Sequence, residues 1–202
     1  MKFIVIDGLD AAGKSTQALM LQKWLAQKGK TIHLRMHPST DNFFGSKSKE
    51  FLYRKSLNAF LASAFFFILD VAHSVLTSFF RKYDYVIFVR YLMSSAYFPK
   101  NVYRIVYLFF SAIFPVPDCT FLLDVTPQEA YRRMGSRDKP EAFENMVQLQ
   151  KVRAKILSLA QTSSWIVVDA DQSPEIIQKR IRHAVQKTFL DAAPCCCGGP
   201  LR

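Results

Sequence analysis

The chain has 202 residues, half of them apolar, and a net charge of +11. That length suits one α/β domain, or one domain with a small lid, and the apolar content is enough to bury a core, which excludes a disordered chain. The charge suits polyanionic ligands, nucleotides first; no recognition motif accompanies it, so nucleic acid is not the expected partner. Strands are predicted over 2–7, 31–36, 84–89, 119–125 and 164–169. Helices are predicted over 14–28, 48–80 (with a break), 92–97, 101–113, 127–134, 141–161 and 174–190. Tyr85-Val86-Ile87-Phe88-Val89 and Phe121-Leu122-Leu123 are continuous apolar runs, as expected of strands covered on both faces. Strands separated by helices imply a parallel sheet with right-handed crossovers.

The first strand runs into Gly8-Leu9-Asp10-Ala11-Ala12-Gly13-Lys14-Ser15, a GxxxxGK(S/T) phosphate-binding loop, and a helical pattern follows at once. Strand, glycine-rich turn and helix form the context this motif requires. Gly8 and Gly13 let the backbone curl into a nest of inward N–H groups, backed by the positive end of the helix. Lys14 is placed to reach the β- and γ-phosphates of ATP, and the Ser15 hydroxyl to ligate Mg²⁺. The expected ATP-binding set is therefore Gly8, Leu9, Asp10, Ala11, Ala12, Gly13, Lys14, Ser15 and Thr16.

In a parallel sheet ligands sit beyond the carboxyl ends of the strands, which singles out the residues after each one. These are Asp7, then Arg35 to Thr40, then Arg90 and Tyr91, then Asp124. Farther on, Arg132-Arg133-Met134-Gly135-Ser136-Arg137-Asp138-Lys139-Pro140 places four cations within eight residues. A basic lid over about 132–141 is expected there, able to clamp a transferring phosphoryl group and exclude water. His37 is a candidate contact for an acceptor phosphate. His73, three residues after Asp70, is expected to make a polar contact with it, and His33 and His183 to lie on the surface.

The apolar runs at 64–69 and 105–114 are too short to span a bilayer. With no secretory pattern at the N-terminus, a cytoplasmic protein is expected. Cys119 falls in a strand, as a small core residue. Cys195, Cys196 and Cys197 have neither zinc-knuckle spacing nor the form of a prenylation box, and a disordered tail is expected over 191–202, after one P-loop domain over 1–190.

These segments together resemble the thymidylate kinase family of nucleoside monophosphate kinases. The resemblance rests on FIVIDGLDAAGKSTQ, YDYVIFVRYLMSSAY, PDCTFLLDVTPQEAYRR, RRMGSRDKPEAFE and WIVVDADQSPEIIQKRI, and spans roughly 2–187. It implies a P-loop kinase fold of the α/β class, a five-stranded parallel sheet flanked by helices with a small basic lid. It implies ATP and Mg²⁺ as cosubstrate and cofactor, and transfer of a phosphoryl group from ATP to dTMP. By the same resemblance Lys14, Arg90, Arg133 and Arg137 are catalytic, and Asp10, Phe67, Asp70, Arg90 and Tyr97 bind the acceptor. The basic residue that some members carry after the loop Asp is Ala11 here, which puts the catalytic cations in the lid.

The chain also departs from that pattern. The acid of the family's DRY triplet is Val89, and Asp7 or Asp124 is the candidate substitute beside Mg²⁺. The base-reading arginine is Val71, the Arg-Glu-Pro after the second strand is Met36-His37-Pro38, and the Gln after Tyr97 is absent. Losing several buried donors to a base edge, each worth about 1–3 kcal/mol, erases much of a thymine preference. A kinase of another acceptor and a nucleotide-binding regulatory protein therefore stay open. A GTPase is disfavoured, since no NKxD motif occurs. There is no clear dimer signature, and exposed Phe in the 48–80 region is where a homodimer contact would be sought.

Overall fold

A computed structural model of the chain describes residues 1–54, 56–135 and 145–189. In chain order the elements are β1 (Lys2–Gly8), α1 (Lys14–Gln27), β2 (Ile32–Met36), α2 (Phe43–Leu52), α3 (Leu57–Phe79), β3 (Tyr85–Val89), a 3₁₀ turn (Met93–Tyr97), α4 (Tyr103–Ile113), β4 (Cys119–Asp124), α5 (Pro127–Met134), α6 (Met146–Gln161), β5 (Ile166–Asp169) and α7 (Pro174–Phe189). All five strands are parallel, in the order β2-β3-β1-β4-β5. The fold is the expected α/β P-loop kinase architecture. The apolar runs of β1, β3 and β4 are buried because helices cover both faces, and Ile4, Ile6, Phe88 and Phe121 fill the centre.

Local chemistry fixes where the helices begin. Asn42 caps α2 by accepting from the Gly45 N–H at 2.9 Å, and Ser56 caps α3 by accepting from the Ala59 N–H at 3.1 Å. Thr126 caps α5, whose first residue is Pro127. The expected break within 48–80 falls between Leu52 and Leu57, and the helical hairpin begins earlier than predicted, at Phe43. The segment 92–97 forms a 3₁₀ turn rather than an α-helix.

Helix α3 has 23 residues and is long and apolar enough, by length and composition alone, to cross a bilayer. Here it lies beside α2 and buries Ser63, Asp70, Ser74 and Ser78. Each of these polar groups finds a partner: Ser63 bonds Ser48, Ser74 bonds Arg35, Ser78 bonds the Ser74 carbonyl, and Asp70 bonds Ser39 and Asn42. Ser63, Ser74 and Asp70 are thus satisfied by neighbouring elements and Ser78 within α3 itself, as buried polar groups are in a packed helix.

The strand order sets the site. Because β3 and β1 are neighbours, with Ile6 opposite Val89, the loops leaving their carboxyl ends emerge side by side. One is the phosphate loop; the other carries Arg90.

Candidate active site

The phosphate loop has the backbone its sequence implies. Gly13 has φ of +85° and Ala11 +59°, so the chain curls inward before α1. Gly8 approaches β4 so closely that a Cβ would lie 2.4 Å from the Leu123 carbonyl oxygen, so no larger residue fits there. Lys14 is buried, and its ammonium donates to the carbonyls of Gly8 at 3.0 Å and Leu9 at 2.6 Å. Leu9 and Ala12 are packed into the core, whereas Ser15 and Thr16 are exposed.

A cavity of about 640 Å³ opens over this loop, walled by residues 11–17, Arg90, Arg133 and Gln172 among others. Its size suits a nucleoside triphosphate. Arg133 projects from α5 into it. Its guanidinium donates to the Ala170 carbonyl at 3.0 Å and to the Ala11 carbonyl at 3.4 Å, and is braced by Glu129 at 2.7 Å. Arg132 and Arg133 together hold the Glu129 carboxyl down at about 2. Arg137 and the rest of the expected lid, 136–141, lie outside the described residues, as do Cys195, Cys196 and Cys197.

A second cavity, of about 100 Å³, lies between α3, the 3₁₀ turn and α4. Asp10, Phe67, Arg90 and Tyr97, expected with Asp70 to bind the acceptor, line it together. Arg90 lines both cavities and so stands between them. It has φ of +62°, uncommon for a residue with a side chain. Asp10 accepts from the Arg90 guanidinium on one carboxylate oxygen and from the Tyr97 hydroxyl on the other, with the Lys14 ammonium 3.8 Å away.

Asp7 explains how the Arg90 loop is held. It is buried, and its carboxylate accepts from the N–H groups of Tyr91 at 2.8 Å, Met93 at 3.2 Å and Gly8 at 2.9 Å. Burial pushes its carboxyl up, opposed by the Tyr91 N–H and by Lys14. Asp124 is occupied otherwise, in a two-pronged pair with Arg153 at 2.7 and 2.8 Å. Neither expected substitute for the missing acid at Val89 offers an uncommitted carboxylate. Among the described residues no group of three or more His, Cys, Asp or Glu converges. Of the residues expected to hold Mg²⁺, only the Ser15 hydroxyl faces the donor cavity without such a commitment.

Asp70 does not line the acceptor cavity. Its carboxylate is fully buried and accepts from Ser39 N–H at 2.7 Å and Asn42 Nδ2 at 2.7 Å, so it anchors the loop after β2. Val71, in place of the expected arginine, is a buried apolar part of the cavity wall.

His37 is buried, with Nδ1 3.1 Å from the Arg90 carbonyl and Nε2 unpartnered among the described residues. It supports the Arg90 loop rather than facing a phosphate. Burial pulls its pKa down to about 4. The expected polar contact of His73 is not made among the described residues, where its Nδ1 is buried without a partner. His33 is half-buried and stacked on Tyr83 rather than on the surface, because β2 brings the two rings to 4.8 Å; His183 is exposed.

The sequence reading passed over two parts of the acceptor wall. Phe110 and Phe114 reach it from α4 and its C-terminal end, a placement that no local pattern reveals. Ser95 contributes a buried hydroxyl with no partner among the described residues. Its place in the SSAY segment beside Arg90 was the available signal.

The model of the thymidylate kinase family matches residues 6–181. A probable thymidylate kinase of Thermococcus gammatolerans is 34% identical, over 93% of this chain and 97% of the relative. One from Archaeoglobus fulgidus is 31% identical, over 93% and 96%. Among solved structures, thymidylate kinase from Candida albicans superposes with a TM-score of 0.75 at 21% identity, covering 92% of this chain and 91% of that one, a likeness of fold. Two cavities joined at Arg90 on a P-loop sheet, and matches that run nearly the whole chain, lead to one conclusion: this chain belongs to the thymidylate kinase family, the nucleoside monophosphate kinases that act on thymidylate.

Proposed function

We propose that the chain transfers the γ-phosphoryl group of ATP to dTMP, giving dTDP and ADP. The observation that carries this reading is Arg90, shared by a triphosphate-sized cavity and an aromatic-walled one and held by Asp10 between them. The acceptor phosphate is bound by Arg90, and the base lies against Phe67. A phosphate oxygen of the acceptor attacks the γ-phosphorus. The new P–O bond forms as the bond to the bridging β,γ-oxygen breaks, and ADP leaves. The loop N–H groups and Lys14 take the charge of the β- and γ-oxygens, while Arg133 and Arg137 stabilise the charge at the transferring group.

Mg²⁺ supplies further neutralisation of the phosphate oxygens when bound. Ser15 is the residue that would hold it, with the nucleotide phosphates and water completing the shell. Such a metal site leans on the substrate more than one with a dedicated carboxylate.

The wall at Val71 supports a second feature. With no guanidinium there to read a base edge, discrimination among pyrimidine monophosphates falls by about 10–100-fold relative to a site that has one. The test is ADP production with a panel of nucleoside monophosphates, with and without Mg²⁺, in the native chain and in Lys14→Ala. Turnover with dTMP that Lys14→Ala abolishes is expected. ATP binding without turnover on any acceptor would instead point to a regulatory nucleotide-binding protein.

A further inference from the structure

Helix α4 is amphipathic in an inverted sense. Its buried positions are Tyr103 and Tyr107, whose ring hydroxyls meet Arg104 and Ser163. Apart from Arg104, its exposed positions are aliphatic or aromatic. Ile105, Leu108, Phe109 and Ile113 are 59–66% exposed, and Val116, just beyond the helix, is 83% exposed. Ile105, Phe109 and Ile113 recur every four residues with Leu108 beside Phe109, so they form one stripe of about two and a half turns, which Val116 extends beyond the helix. Core formation does not explain it, because the helix already packs with its opposite side.

The charges around this stripe have one sign. No Asp or Glu occurs between Asp84 and Asp118, and α6, which contacts α4 through Arg104 and Ser158, has none either. The flanking acids are engaged: Asp118 accepts from the Phe3 N–H at 2.7 Å, and Asp84 from the Thr31 N–H at 2.7 Å. At the N-terminal end of the stripe Lys100 and Arg104 are exposed. Lys155 of α6 sits over the Tyr103 ring, 5.6 Å from its centre.

We propose that the α4 face docks on an anionic phospholipid surface, the stripe entering the headgroup boundary while Lys100 and Arg104 meet lipid phosphates. An apolar stripe edged by cations is the pattern of an interfacial helix. At 11 residues α4 is too short to cross a bilayer, so it would lie in the plane of the interface. A second copy of the chain is the poorer occupant. A two-fold pairing would join two faces that carry cations and no carboxylate to offset them.

The test uses the full chain and flotation with vesicles of phosphatidylcholine alone or mixed with phosphatidylglycerol. Binding to the mixed vesicles, weakened by salt, is expected. Phe109→Glu should reduce it about tenfold or more, and Lys100→Glu about fivefold. Ile105→Ser, a milder change, should reduce it in the same direction, with ATP binding retained in all three. No vesicle binding, equal binding to neutral vesicles, or indifference to Phe109→Glu and Ile105→Ser would overturn the proposal. So would a dimer that Phe109→Glu dissociates while vesicles stay unbound, which would give the face to self-association.

Discussion

The Asp10 carboxylate accepts a hydrogen bond from the Arg90 guanidinium, joining the phosphate loop to the loop that leaves β3. The pair stands where the two cavities meet, with Tyr97 on the second oxygen of the same carboxylate. Asp10→Asn keeps the shape and removes the charge. Weakening a charge-assisted contact of about 1.5–3 kcal/mol should lower kcat/KM for dTMP about 10–100-fold, while ATP affinity changes little. Initial rates against each substrate separate the two; equal loss on both sides would mean that Asp10 supports the phosphate loop alone.

Arg133 reaches the mouth of the phosphate loop from α5 and is steadied by Glu129 and the Ala170 carbonyl. A guanidinium held there before substrate arrives stabilises charge at little reorganisation cost. Arg133→Ala is expected to lower kcat by roughly 100-fold while ATP binding weakens much less. Single-turnover rates and nucleotide titration check this, and parallel losses would reduce Arg133 to a binding contact.

Ser95 and Ser63 both line the acceptor cavity, and their hydroxyls differ. That of Ser63 donates to the Ser48 carbonyl at 2.9 Å, while that of Ser95 is buried without a partner among the described residues. Removing an unsatisfied hydroxyl costs the free protein nothing. Ser95→Ala should leave the melting temperature unchanged or slightly higher, yet cut kcat/KM for the acceptor by about 5–10-fold as a bond to bound base or sugar is lost. Ser63→Ala should instead destabilise the fold by about 1 kcal/mol.

His37 makes stability depend on pH. Burial lowers its pKa from 6.5 to about 4, so the native state holds it neutral while the unfolded chain takes up a proton below about 6.5. Stability from this group is therefore complete above pH 6.5 and is lost as pH falls toward 4, by about 3 kcal/mol in total. Asp7, whose carboxyl burial pushes up, acts in the opposite direction. Comparing denaturation of the native chain and His37→Gln between pH 7 and 4.5 isolates the histidine, and the variant should show the shallower slope. Identical slopes would mean that folding does not lower the pKa of His37.

The donor half of the site was legible in the sequence because it is local. Gly8 to Thr16 are contiguous, the glycines are demanded by backbone geometry, and Lys14 and Ser15 follow from where the helix begins. The five strands and their parallel arrangement were legible for a related reason, since continuous apolar runs alternating with helical periodicity admit few topologies. The acceptor half depends on contacts across long separations. Asp10 meets Arg90 and Tyr97 only because β1 and β3 are neighbours in the sheet. Asp70 and Asp124 look like site acids in a linear reading, but packing commits them to Ser39 and Asn42 and to Arg153. The outward turn of the α4 stripe was equally hidden, for periodicity gives a helix its apolar face without saying which way it points. What the sequence by itself determined is the P-loop and the sheet that presents it, through steric rules acting over a few residues. The tertiary structure alone decided which charges are already paired, which hydroxyl of the smaller cavity lacks a partner among the described residues, and which apolar face meets solvent, because burial and pairing are properties of the assembled chain.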